Sequence, residues 1–139
     1  MKKILVDINV VLDVLLDRKP HAEPSAALWA AIETGMAEGV LAAHAVTTIH
    51  YLVRKERGAS KARRTVAAIL RVFGIAAVDG DVVRQALEFS WPDFEDAITA
   101  SAAQSAGCDA IVTRDPRGFP DSPVQVLTPE AAVALFTRG

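Results

Sequence analysis

Short aliphatic runs alternate along the chain with longer stretches in which apolar residues recur every three or four positions. "KILV" (3–6), "VLAAH" (40–44), "IAAV" (75–78), "AIVT" (110–113) and "VQVL" (124–127) have the length and aliphatic content of buried strands. Helical spacing predicts helices over 9–16, 23–39, 47–58, 60–73, 81–90, 93–106 and 129–137. Pro24 marks one start, and Gly39, Gly58 and Gly107 mark stops. Strands separated by helices imply right-handed βαβ units and a mainly parallel sheet of about five strands. Such sheets take ligands beyond the carboxyl ends of their strands. That rule singles out Asp7 after the first strand, Thr47 and Thr48 after the second, and Asp115 after the fourth.

Composition narrows the class. A chain of 139 residues with 51% apolar content suits one domain, residues 1–139, with a single core. The apolar share leans on alanine, with 6% aromatic, which suggests closely approaching helices. A net charge of −2 announces no global attraction to nucleic acid, so a polyanion would need a local patch. The single cysteine, Cys108, excludes an internal disulfide and gives no metal spacing; it reads as a small packed hydrophobe. The basic start Met1-Lys2-Lys3 is followed by an apolar run that Asp7 breaks too early for a signal peptide, and no segment is long enough to span a bilayer. The expectation is a soluble, cytoplasmic protein.

The candidate chemistry is acidic. Asp7 ends the first strand, where a bare carboxylate at the edge of a core is costly unless its charge is compensated. It is also a good N-cap for the helix that follows. Asp13, on that helix, is expected to face solvent. "WPDFEDAIT" puts Asp93 and Asp96 on one face of a helix's first turn, where both can serve as caps, with Glu95 solvated. Asp115 lies in "VTRDPRGF", an ordinary turn signal. Each acid thus has an adequate structural role alone. Together, Asp7, Asp96 and Asp115 fall at junctions that a parallel fold can gather at one end of its sheet. Clustered carboxylates repel, and a hard divalent cation such as Mg²⁺ or Mn²⁺ relieves them. Such an ion can activate water against a phosphodiester.

At this point the sequence resembles the PIN domain family, in particular its VapC-like toxins. "ILVDINVVLDVLL" is similar to the family's opening strand with its D-x-N signature. "DFEDAITASAAQSAGCDAIVTRDPRGF" resembles its D-A-hydrophobic helix, strand and T-R-[ND] turn, and "VQVLTPEAAVALF" its closing strand and helix. The resemblance implies a three-layer α/β/α sandwich and a metal-dependent ribonuclease. It carries the site acids over to Asp7, Asp96 and Asp115, with Asp93 as a further candidate ligand. Asn9 matches the asparagine that orients the first acid, and Thr113 the threonine whose hydroxyl holds an acid or a metal water. It also implies an antitoxin protein as partner and a homodimer, for which the alanine-rich segment around Trp29 could serve, although core packing explains most of those alanines.

The match departs from the pattern at one ligand. Active members place a glutamate early in the helix after the second strand, and here the matching position is Thr48, with His50 as the other register. Gly118 stands where many relatives carry a further Asp. A three-acid site can still hold a water-rich Mg²⁺, with lower affinity. His21, His44 and His50 read as packed or exposed residues rather than ligands. Seven of the fifteen basic residues, Arg54, Lys55, Arg57, Lys61, Arg63, Arg64 and Arg71, occupy one helical hairpin. They form either a solvated face or a phosphate-contacting strip, and Arg114 and Arg117 flank Asp115 as a candidate phosphate clamp. The preferred function is a metal-dependent endoribonuclease, the toxin of a VapBC-like pair. The alternative is a degenerate domain that binds RNA or a protein without cutting. A phosphoacceptor signalling domain also clusters acids on such a sheet, but it needs a lysine after its last strand and "VQVLTPEA" offers none.

Overall fold

A computed structural model describes residues 2–137; Met1 of the basic amino-terminal triplet lies outside the described residues. The chain runs through β1 (Lys3–Val6), α1 (Ile8–Leu15), α2 (Ala22–Glu33), β2 (Glu38–Ala42), α3 (Ala43–Arg57) and α4 (Ala59–Val72). It continues through β3 (Gly74–Ala76), α5 (Gly80–Glu88), α6 (Phe94–Ser105), β4 (Ala110–Val112), a 3₁₀ turn (Pro116–Gly118), β5 (Gln125–Leu127) and α7 (Pro129–Thr137).

The five strands form one parallel sheet in the order β3-β2-β1-β4-β5. Alternate residues of the three inner strands β1, β2 and β4 serve two cores. Ile4, Val6, Leu41, Ala110 and Val112 face a layer that includes α1, α2, α3 and α4, while Leu5, Val40, Ala42, Ala76 and Ile111 face α5 and α6. Burial on both faces is why these strands are unbroken aliphatic runs rather than alternating ones. The result is a three-layer α/β/α sandwich, as the sequence predicts.

Strand order decides where ligands go. From β1 the chain moves outward to β2 and β3, then returns to the other side of β1 for β4 and β5. The reversal opens a crevice beyond the carboxyl ends of β1 and β4. Asp7 follows β1 directly, and Thr113, Arg114 and Asp115 follow β4.

Two boundaries differ from the sequence reading. Helix α2 ends at Glu33 rather than near Gly39, because Gly35 turns the chain at φ +82° and Thr34 Oγ1 donates to the Ala30 carbonyl oxygen at 3.0 Å. Gly39 is instead a residue of β2, where a Cβ would lie 2.8 Å from Ile32 Cδ1 and 3.0 Å from Phe73 Cδ1. The second strand therefore ends at Ala42, and α3 begins four residues earlier than the expected Thr47. His44, expected at a strand end, lies in the first turn of α3, and Thr48 lies further along the helix.

Candidate functional site

Asp7 is the N-cap of α1, with Oδ1 accepting from the Ile8 amide at 2.8 Å. It is nonetheless 6% exposed, more buried than capping requires. Its second oxygen accepts from Thr113 Oγ1 at 2.9 Å. The same hydroxyl oxygen accepts from Asn9 Nδ2 at 3.3 Å and from the Asp115 amide at 3.2 Å. Thr113 is wholly buried and ties the end of β4 to the start of α1. Asn9 Oδ1 is buried beside this knot without a hydrogen-bond partner among the described residues.

The other acids lie on α6, in the opposite layer, and on the loop after β4. Asp93 is the N-cap of α6, its Oδ1 accepting from the Asp96 amide at 3.1 Å. Asp96 is half-buried in the first turn of that helix. A Cβ at Gly118 would lie 3.0 Å from Asp96 Oδ2, so the 3₁₀ turn after Asp115 packs its backbone against this carboxylate. Asp115 is exposed, with Arg117 Nε 3.8 Å from its Oδ1, a loose surface pair of little energetic weight.

The acids act on one another. Burial pushes the Asp96 carboxyl up to about 7, helped by Asp93, Asp7, Glu95 and Asp115 in that order. Burial also raises Asp7, against the opposing hydrogen bonds from Thr113 and Ile8. His44 moves the other way: burial lowers its pKa, and Glu95 partly counters this. Sequence reasoning set His44 aside. No local signal marked it: only the start of α3 at Ala43 puts this imidazole, rather than Thr48 or His50, in the helix's first turn.

Two other residues also correct the sequence reading. Asp13 does not face solvent; it has no exposed surface, and Arg114 Nε lies 3.1 Å from its Oδ2. Arg114, the candidate phosphate clamp, is therefore turned toward α1, with its side chain one third exposed. The hairpin cations Arg54, Lys55, Arg57, Lys61, Arg63, Arg64 and Arg71 are all exposed. At about 1.5 Å per residue, Arg54 and Arg57 stand about 15–20 Å along α3 from His44. Arg57, Lys61 and Arg64 instead rim a groove of about 450 Å³ with Val14, Trp29 and Ile69 among its apolar lining.

The donor chemistry suits a hard cation: oxygen atoms throughout, negative charge in excess, and one unpartnered amide oxygen at Asn9. Among the described residues, no three His, Cys, Asp or Glu side chains converge closely enough to hold an ion together. The arrangement fits an ion carried by one or two carboxylates and water, as is usual for Mg²⁺.

The family model of the PIN domain matches residues 3–117. The chain belongs to the PIN domain family. PIN domains are in general nucleases. No curated protein matches the chain in sequence. Among solved structures, this PIN domain is similar to FitAcB from Neisseria gonorrhoeae, at 22% identity and TM-score 0.67 over 91% of this chain and 97% of that one. It is similar to VapBC-1 from nontypeable Haemophilus influenzae, at 9% identity and TM-score 0.72 over 91% and 98%. VapC20 from Mycobacterium tuberculosis, described as a sarcin-ricin loop cleaving toxin, matches at 19% identity and TM-score 0.66 over 83% and 92%. At these identities the likeness is one of fold. Among the described residues of this PIN domain, no helix is long and apolar enough to cross a membrane.

Proposed function

We propose that this PIN domain is a divalent-metal-dependent endoribonuclease and the toxin of a toxin–antitoxin pair. The observation that carries the reading is the coupled acid cluster at the crevice between β1 and β4. Asp7 is held there by Thr113, and burial, helped by the acidic neighbours, raises Asp96 to about 7. Asp7 and Asp96 would hold the ion, with Asp115 and Asp93 binding through water and Asn9 Oδ1 as a neutral donor. When bound, Mg²⁺ or Mn²⁺ supplies positive charge against the phosphate oxygens and a more acidic water. The chain's own residues do the rest. Thr113 fixes the carboxylate plane of Asp7, and Asp96, its carboxyl raised to about 7, can hold a proton near neutral pH. Arg117, exposed beside Asp115, can bind a neighbouring phosphate of RNA, as can Arg54, Lys55 and Arg63 from the hairpin.

An antitoxin partner follows from the groove at the far end of the hairpin. Apolar walls with Arg57, Lys61 and Arg64 on the rim suit an acidic amphipathic segment.

A second reading has a specific observation behind it. The first turn of α3 carries no carboxylate, and among the described residues no three His, Cys, Asp or Glu side chains converge, which favours a domain that binds RNA without cutting. Cleavage of varied RNAs with Mn²⁺ or Mg²⁺ separates the two, comparing wild type with Asp7→Asn and Asp96→Asn. Metal-dependent cutting should fall at least a hundredfold in both variants. Full activity in the variants would expose a contaminating nuclease, and a silent wild type that still binds RNA would transfer the assignment to the binding reading.

A further inference from the structure

Asp13 is a buried carboxylate that the proposed chemistry does not use. It sits in the last turn of α1 with no exposed surface. Neither carboxylate oxygen has a hydrogen-bond partner among the described residues. Its compensation is charge: Arg114 Nε stands 3.1 Å from Oδ2, close enough for an ion pair but out of line for a hydrogen bond. Burial raises the Asp13 carboxyl, and Arg114, then His21 and Arg18, oppose that shift. A buried pair of this kind is a poor source of stability, since an apolar pair of similar volume often does as well or better. What it can provide is a fixed orientation.

The sequence position of Arg114 says what would be oriented. Thr113 is fastened to Asp7 and Asn9 at the start of α1. Arg114 is fastened to Asp13 at the other end of the same helix. Asp115 follows directly, its amide donating to Thr113 Oγ1 at 3.2 Å. Two successive residues of one loop are therefore tied to opposite ends of one helix, and the third carries a site acid. The Thr113 amide also donates to the Leu127 carbonyl oxygen at 2.9 Å, which fixes the loop where it leaves β4 but does not reach the Arg114 side chain. Arg114 also lines a cavity of about 130 Å³ with His21, Ser25 and Glu130, and Asp13 is its ion-pair partner among the described residues.

We infer that Asp13, acting through Arg114, is a positioning residue that sets where Asp115 stands relative to Asp7. The inference rests on the reading of Asp7 and Asp115 as one site, but its primary test needs neither metal nor activity. Site-resolved amide hydrogen exchange is measured on the full chain, wild type against Asp13→Asn. The Asp115 amide should exchange at least tenfold faster in the variant, while the Leu5 and Ile111 amides keep wild-type rates. Arg114→Met should give the same pattern, and the double variant should add nothing, because both changes cut one link. If Asp13→Asn does not fold, Arg114→Met carries the test, since that side chain is partly exposed. An unchanged Asp115 rate overturns the inference, as does a uniform rise across all three amides, which would mark a purely structural pair. Mn²⁺ titration then separates the two proposals. No broadening of Asp7, Asp96 or Asp115 signals in wild type would sink the metal site while leaving the exchange result decisive. Equal broadening in wild type and Asp13→Asn would overturn the positioning role.

Discussion

At the residue scale, Thr113 is the smallest part with the widest effect. One buried hydroxyl donates to Asp7 and accepts from Asn9 and the Asp115 amide. Thr113→Val keeps the shape and removes all three links, leaving the Asp7 carboxylate with one fewer donor. Leaving a buried polar group unsatisfied costs about 1–3 kcal/mol, so the variant should lose that much stability in urea unfolding. A loss below about 0.5 kcal/mol would mean that water replaces the hydroxyl. Asp7, Asp96 and Asp115 could be singled out in the sequence because each stands at or beside an element boundary, and the structure has them at those places. Asp13 was not legible. Helix α1 is apolar on nearly every side, "INVVLDVL", so its periodicity names no outward face on which to place an acid.

At the scale of elements, the misread boundary between α2 and β2 has a physical origin at Gly39. Glycine usually signals a stop, and here it is a close contact: β2 passes under Ile32 of α2 and Phe73 beside the end of α4 with no room for a methyl group. Gly39→Ala should therefore destabilise the protein by about 1–3 kcal/mol through overpacking. The check is a lowered urea midpoint with an unchanged m-value. A variant as stable as wild type would mean that Ile32 repacks freely. The next boundary, where β2 ends at Ala42, brings His44 rather than Thr48 into the first turn of α3. Local sequence carries no cue for this shift, since "AAHAVTT" is compatible with either state.

For the whole molecule, the acid cluster links stability to pH. The Asp96 carboxyl titrates at about 7 in the folded chain against an ordinary value of 3.8. Between those values the folded state holds a proton that the unfolded state has released. Raising the pH from about 4 to about 7 therefore removes stability from the metal-free protein, and the effect levels off above that window. Burial gives Asp7 a contribution of the same sign. The metal-free protein should melt higher at pH 5 than at pH 8, and Asp96→Asn should shrink the difference. Mn²⁺ should reverse the trend, adding about 2.7 kcal/mol at a hundred times its Kd at pH 8 and little at pH 5, where protons occupy the carboxylates. Scanning calorimetry with and without Mn²⁺ checks each arm. Equal melting at both pH values, unaltered by Asp96→Asn, would contradict the coupled cluster.

By itself the sequence determined the parallel α/β architecture, the strand runs and the acids at their ends. Those depend on local apolar patterning and on turn residues, which act over a few positions. Tertiary structure alone decided that Asp13 is buried against Arg114, that His44 lies in the first turn of α3, and that Arg57, Lys61 and Arg64 rim an apolar groove. Each of these depends on contacts between residues distant in the chain. There the energy comes from desolvation and charge pairing in a shared interior, which no local pattern encodes.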